Sequence, residues 1–228
     1  MIRPVHVVAV LGGIALLTAV VPSIDHAGAR LFYCRQAEQA WCHKDEQPWN
    51  ALYHYGNYPG IAIGITGLAL ALYGFLRKHV RKRQIGIFLV VSLVVGPGLA
   101  VNGILKPLWG RPRPRNTIPF NPDGKPYRAA LNPDFDGGGK SFPSGHVSTA
   151  FYTGALAWCT SAPGINVPLL TASLAYGFLM GITRMAQGGH FFSDAVWAAF
   201  ITWSIMALCG RIFLKKGINS RHGRNPPL

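Results

Sequence analysis

Residues 85–114 read IGIFLVVSLVVGPGLAVNGILKPLWGRPRP, an apolar run that ends on Lys106 and then on two arginines, each followed by a proline. A hydrocarbon core about 30 Å thick takes roughly 20 apolar residues per helix, so 85–105 is long enough to cross a bilayer. Gly96-Pro97-Gly98 inside the run suits a membrane helix, where neighbours satisfy the backbone groups that a proline frees. Outward from it, comparable segments near 4–22, 59–76, 147–162, 165–183 and 191–213 bring the total to six. The expected fold is all-α: a polytopic membrane helical bundle of six transmembrane helices, one integral domain over residues 1–228. The 147–162 segment is diluted by Ser148, Thr149, Thr153, Thr160 and Ser161, whose hydroxyls need backbone carbonyls or partners across a helix interface.

Composition points the same way. Half of the 228 residues are hydrophobic and only 13% charged, with a mean hydropathy of +0.24, which is too apolar for an ordinary soluble domain. The formal charge of +14 could suggest nucleic acid, but such a binder spreads Lys and Arg over a soluble face, whereas here they punctuate apolar runs. Anionic membrane lipid is the better partner, and no nucleic acid is expected. At the N-terminus, Arg3, the apolar run and Ala27-Gly28-Ala29 imitate a secretory signal. The length of the run and the intervening Pro22, Asp25 and His26 favour an uncleaved anchor.

With cytoplasmic termini, eleven of the 22 Lys and Arg lie inside: Arg3, the cluster Arg77, Lys78, Arg81, Lys82 and Arg83, and Arg211, Lys215, Lys216, Arg221 and Arg224. The raw count is a tie. The 77–83 cluster sits in a short loop against two helices, where the positive-inside rule is strongest, and it decides for cytoplasmic termini. All eight acids fall on the opposite side from that cluster. Cys34 and Cys42 share the first outer loop, where an oxidising compartment permits a disulfide, two free thiols being the alternative. Cys159 and Cys209 lie in apolar spans and read as small core residues.

This topology brings the loop from Lys106 to His146 and the short loop from Arg184 to His190 to one face, at the outer interface. Lys106, Arg113 and Arg184 supply cations of the kind that stabilise the charge on a transferring phosphoryl group. An arginine fork holds two phosphate oxygens at once, and Pro112 and Pro114 stiffen the backbone around Arg113. Pro143-Ser144-Gly145-His146 precedes the fourth span, so free N–H groups and the positive end of a helix dipole face the site. Gly145 permits close approach of a phosphate oxygen, Ser144 adds a hydroxyl donor, and His146 can protonate a leaving oxygen; Ser144 as a plain helix cap is the competing reading. His190 and Asp194, four apart, share one helical face, where an aspartate on one ring nitrogen activates the other. Arg115, Lys125 and Arg128 read as lipid-facing interfacial cations, and Lys140 as an exposed loop lysine. Residues 115–140, rich in Asn, Pro, Asp and Gly, suit a mobile rim, and segment 24–58, with Trp41, Trp49, Tyr53, Tyr55 and Tyr58, an amphipathic stretch at the interface. The remaining histidines, His6, His26, His43, His54, His79 and His222, read as interfacial or solvated.

Taken together these clusters resemble the type 2 phosphatidic acid phosphatase family. Its pattern of Lys, six residues, Arg-Pro is matched by Lys106 to Arg113-Pro114, Pro-Ser-Gly-His by residues 143–146, and Ser-Arg, five residues, His, three residues, Asp by Thr183-Arg184, His190 and Asp194. Thr183 replaces the family's serine and keeps a hydroxyl. The resemblance implies a bacterial inner-membrane enzyme with a periplasmic active site and no cofactor or metal. His190 is then the nucleophile that forms a phosphohistidine, Asp194 orients it, His146 is the general acid, and Lys106, Arg113, Ser144, Gly145 and Arg184 bind the phosphate. Implied substrates are lipid phosphates: lipid A, phosphatidylglycerol phosphate, undecaprenyl pyrophosphate or phosphatidic acid. A phosphotransferase passing the same intermediate to a second lipid stays open beside hydrolysis. A non-catalytic transporter of anionic lipid would need charges at mid-span, and a metallohydrolase using His146, His190 and Asp194 is disfavoured by three neighbouring cations.

Overall fold

The computed structural model describes residues 4–34, 40–41 and 43–214. Among these the chain is helical, without a named strand. Helices α1 (Pro4–Val20) and α2 (Ser23–Arg30) meet at a bend of 94°, where Pro22 disfavours helical backbone in the residue before it. α3 (Trp49–Tyr55) leads into α4 (Tyr58–Leu76). α5 (Val80–Leu93) continues through π-helical turns over Val94–Leu105 into the short α6 (Lys106–Leu108). Pro97 lacks the N–H that an α-helix needs and lies within the wide turns; the Asn102 side-chain amide donates to Pro97 O at 2.7 Å. After the outer loop come α7 (Gly145–Tyr152), α8 (Ala155–Trp158), α9 (Pro163–Ala186) and α10 (Phe192–Phe213).

α4 lies along α5, α1 along α10, and α7 fills the centre between α9, α10 and the π-helical segment. α4 shows what solvent this fold expects. Its buried positions are Gly60, Gly64, Gly67, Ala71 and Gly74, while Ile61, Ile65, Leu68, Leu72 and Phe75 face outward. In water that arrangement would be inverted. In hydrocarbon, large apolar side chains gain nothing by leaving the lipid, and small residues let backbones pack closely. A Cβ on Gly86 of α5 would lie 2.3 Å from Ala71 N and 2.5 Å from Gly67 O.

Four helices are long and apolar enough to cross a membrane, Trp49–Leu76, Val80–Leu108, Pro163–Ala186 and Phe192–Phe213, with a fifth if the bent α1–α2 pair counts as one. Six were expected, and the difference has two causes. α1 rises only about 25 Å at 1.5 Å per residue before the bend. The 147–162 segment breaks at Thr153-Gly154, whose N–H groups turn to Ala150 O and Phe151 O in tighter steps. Its hydroxyls bond carbonyls as expected, Ser148 Oγ to Gly145 O at 2.7 Å and Thr153 Oγ1 to Ala150 O at 2.7 Å. α7 and α8 thus form an inner pillar, with Val147, Ala150, Tyr152 and Ala155 packed in one core with Phe88, Leu89, Trp203 and Met206.

Residues 115–140 depart from the expected mobile rim. Lys125 Nζ donates to Gly137 O at 2.5 Å, Arg128 pairs with Asp134 at 3.0 Å, and the Trp109 indole donates to Ala130 O at 2.8 Å. Lys125 and Arg128 therefore bind their own loop rather than lipid. Trp41, expected at the interface, is buried with Ala29, Phe120 and Phe191. Cys34 is disulfide-bonded; its expected pairing with Cys42 lies outside the described residues, as do Lys215, Lys216, Arg221, His222 and Arg224.

Gly86→Val should strain the α4–α5 contact and lower the melting temperature in detergent, with a cost of about 1–3 kcal/mol or more. Gly13→Val, with nothing within 4 Å of an added Cβ, should leave it unchanged.

Candidate active site

The turn between α9 and α10 presents His190. Gly188 takes φ +58°, and a Cβ there would strike the Trp41 ring at 2.4 Å, so only glycine reverses the chain at this point. Gly189 N and His190 N then close back on Arg184 O at 3.0 and 3.3 Å. His190 is 1% exposed. Its Nδ1 stands 2.6 Å from Ser141 O and 3.6 Å from Asp194 Oδ2. A carbonyl only accepts, so Nδ1 carries the proton and Nε2 keeps its lone pair. The expectation was that Asp194 fixes this tautomer directly. In the structure the Ser141 carbonyl holds the hydrogen bond, and the carboxylate lies at ion-pair range beside it. Burial first, then the Arg184 and Lys106 charges, hold the His190 pKa down at about 3 against the pull of Asp194, so the ring is neutral.

Asp194 sits in the first turn of α10, and its carboxylate accepts three hydrogen bonds. Oδ2 accepts from Phe191 N at 2.8 Å and Ser141 Oγ at 2.5 Å, and Oδ1 from Arg111 Nη1 at 2.5 Å. Arg111 is fully buried. It also donates to Asp25 Oδ2 at 2.7 Å, Ser193 Oγ at 2.8 Å and Arg128 O at 2.8 Å, and faces the Phe191 ring at 4.7 Å. Asp25, on α2, receives Ser193 N, Ser193 Oγ and Tyr127 Oη as well. Burial alone would lower the Arg111 pKa, but Asp194 and Asp25 outweigh it and raise it; the guanidinium is permanently charged.

Arg111, Asp25 and Ser141 are the functional residues that sequence reasoning passed over. One signal was available. An aspartate behind the first apolar run is costly to bury without a partner, and Gly110-Arg111-Pro112 offered an arginine beyond those used for phosphate.

On the facing side, His146 Nε2 lies 3.1 Å from Tyr53 O and its ring stacks on Tyr53 at 5.0 Å. Nε2 therefore carries the proton and Nδ1 is free. Burial, then the charges of Arg184, Lys106 and Arg113, hold its pKa down at about 4, against the Tyr53 hydrogen bond. The Arg184 and Lys106 charges bear on both imidazoles and the Arg113 charge on His146, which sets these groups about one locus. Arg184 is 4% exposed, lies over the Tyr53 ring at 4.5 Å and is clamped by the Gln187 side chain, itself anchored to Lys44 O and Trp49 O. A Cβ at Gly189 would press on Arg184 Nη2 at 2.6 Å.

Ser144 occupies the cap position of α7 but its hydroxyl makes no cap bond; the buried Oγ has no partner, which suits a donor awaiting an anion better than a helix cap. Beside it, the first N–H groups of α7 have no helical acceptor. Gly145 leaves room for Asn102, whose Oδ1 would lie 2.2 Å from a Cβ there. Thr183 does not serve the site: its hydroxyl donates back to Leu179 O at 2.9 Å. Lys140 is exposed. Among the described residues no group of three or more His, Cys, Asp or Glu is arranged to hold a metal ion.

The arrangement thus offers cations and N–H donors of the kind that suit a phosphate, together with a neutral imidazole that has one free lone pair and a second imidazole. The PAP2 superfamily profile matches residues 85–218. The lipid A 4'-phosphatase of Francisella tularensis subsp. novicida (strain U112) is 34% identical over 139 residues, which cover 58% of this chain and 61% of that relative. No solved structure matches the chain.

Arg111→Met should leave Asp25 and Asp194 as buried, unpaired carboxylates and cost about 3–5 kcal/mol, read as a drop in melting temperature in detergent. The double variant Arg111→Met with Asp25→Leu should recover part of the loss.

Proposed function

The chain belongs to the PAP2 superfamily, and on that footing we propose that it is a membrane lipid phosphatase acting through a phosphohistidine on His190. The observation that carries the reading is the fixed tautomer: Nδ1–H on Ser141 O leaves Nε2 as a neutral nucleophile among cations. In the first step Nε2 attacks phosphorus, an N–P bond forms, the P–O bond to the lipid breaks, and His146 gives a proton to the leaving oxygen. The imidazole gains positive charge as it is phosphorylated, and Asp194 at 3.6 Å stabilises it. Lys106, Arg113 and Arg184, with the Ser144 hydroxyl and the N–H groups at Gly145, hold the phosphoryl oxygens as charge develops. In the second step His146 takes a proton from water as the water oxygen bonds to phosphorus, the N–P bond breaks with its electron pair returning to His190 Nε2, and phosphate is released.

The substrate is a lipid phosphate whose tails stay in the bilayer. Of lipid A, phosphatidylglycerol phosphate, undecaprenyl pyrophosphate and phosphatidic acid, the name of the relative favours lipid A. The setting we propose is the bacterial inner membrane, with cytoplasmic termini, six crossings that include the bent α1–α2 pair and the α7–α8 pillar, and a periplasmic site. The Arg77, Lys78, Arg81, Lys82 and Arg83 cluster in the short α4–α5 loop supports that orientation.

His190→Gln should cut phosphate release from a lipid phosphomonoester by about a thousandfold or more, and acid-labile, base-stable label from a 32P substrate should be trapped on wild type and absent from the variant. Wild-type rates in His190→Gln would overturn the reading.

The pH profile follows from the two histidines. With its pKa depressed to about 3, His190 stays unprotonated and should contribute no acid limb to kcat/KM between about pH 5 and 8. His146 must be protonated to act as an acid, and a bound phosphate dianion raises its pKa from the free value. kcat should therefore fall as pH rises through that ionisation. His146→Gln should lower kcat by about 10²–10⁴ and abolish this limb.

A further inference from the structure

Beside the locus just described lies a separate polar cavity of about 200 Å³, lined by Lys44, Asn50, Arg113, Arg115, Arg184 and Gln187, with Asp45, Tyr53 and His54 completing the wall. It shares Arg113 and Arg184 with the transfer site but includes neither His190 nor His146. Four cationic side chains meet one carboxylate there. Among the described residues none of the four forms an ion pair, and Asp45 is not within pairing distance of any. Arg184, 4% exposed, has a buried Nε with no hydrogen-bond partner.

Three guanidiniums gathered without a counterion repel one another; burial first, and then the Arg115 charge, weaken the hold of Arg113 on its proton. Such a cluster is stabilised by an anion that takes several forks at once. The cavity is smaller than the roughly 300–1,000 Å³ of a site for a whole organic ligand, which fits one phosphate-sized group rather than a sugar or an acyl chain.

The geometry points to a second anion subsite, in which Lys44 and Arg115 hold a phosphate attached next to the one being transferred, so that the site prefers a diphosphate group over a monophosphate. Arg113 and Arg184, common to the cavity and the transfer site, grip the two phosphates together. The inference rests on the phosphatase reading for its transfer site, and it gives Arg115 a role in place of the lipid-facing one expected from sequence. Since the shared chemistry is a diphosphate, its source is either a lipid headgroup or free pyrophosphate.

The test uses the full-length protein in detergent. Calorimetric titration with inorganic pyrophosphate and with orthophosphate should show pyrophosphate binding about tenfold tighter or more. Lys44→Gln with Arg115→Gln should erase that margin and leave orthophosphate affinity within about twofold. Both side chains are outside the buried core, so the fold is retained. On the same preparations, KM for a lipid diphosphate should rise about tenfold in the double variant while KM for a lipid monophosphate stays. A margin with pyrophosphate but no KM shift for the lipid diphosphate would assign the subsite to free pyrophosphate and overturn the headgroup source. Equal affinities in wild type, or equal losses for both anions in the variant, would overturn the subsite. A preserved margin with no turnover of either lipid would instead refute the phosphatase reading alone.

Discussion

One buried arginine shared by two buried carboxylates organises this molecule. Arg111 spans from Asp25 on the bent N-terminal pair to Asp194 on the last helix. Isolated, each of these three charges would cost several kcal/mol to bury. Held together, with Ser193, Tyr127 and Ser141 adding further hydrogen bonds, they lock α2, α10 and the outer loop into one register. The geometry around His190 is a by-product of that lock. Asp194 cannot swing, Ser141 is pinned by its hydroxyl to Asp194, and its carbonyl therefore meets His190 Nδ1 from a fixed direction.

The bundle beneath supplies rigidity by a rule suited to lipid. Glycines and alanines face inward on α4 while isoleucines and leucines face out, and the π-helical turns absorb Pro97 without ending the helix that delivers Lys106. An inner pillar, α7, carries Ser144 and His146 into the site at its N-terminus. Because that pillar is surrounded by protein, its hydroxyls can bond their own carbonyls, and a helix of this polarity persists where a lipid-facing one would not.

Much of this was legible in the sequence because it depends on local pattern. Apolar length marked the helices, and the spacing of Lys106, Arg113, His146, Arg184, His190 and Asp194 marked the residues that converge. What stayed hidden is tertiary. Nothing local in Gly110-Arg111-Pro112 says that the arginine meets acids 86 and 83 residues away. Nor can spacing of four between His190 and Asp194 reveal that a carbonyl from residue 141 reaches the imidazole more closely than the carboxylate does. The break of the fourth apolar segment at Thr153-Gly154 and the ordering of residues 115–140 likewise follow from packing partners that periodicity does not name. Thr183, which keeps the hydroxyl of the serine it replaces, spends it on its own helix.

The central claim is that His190 is held neutral, protonated on Nδ1, with Nε2 free. Nitrogen NMR of 15N-histidine-labelled protein in micelles, with the His190 resonances assigned by their loss in His190→Gln, reads this directly. The structure predicts a neutral ring with a pyrrole-type Nδ1 and a pyridine-type Nε2 throughout about pH 5 to 8. A pyridine-type Nδ1, or an imidazolium titrating near the ordinary histidine pKa of about 6.5, would contradict it.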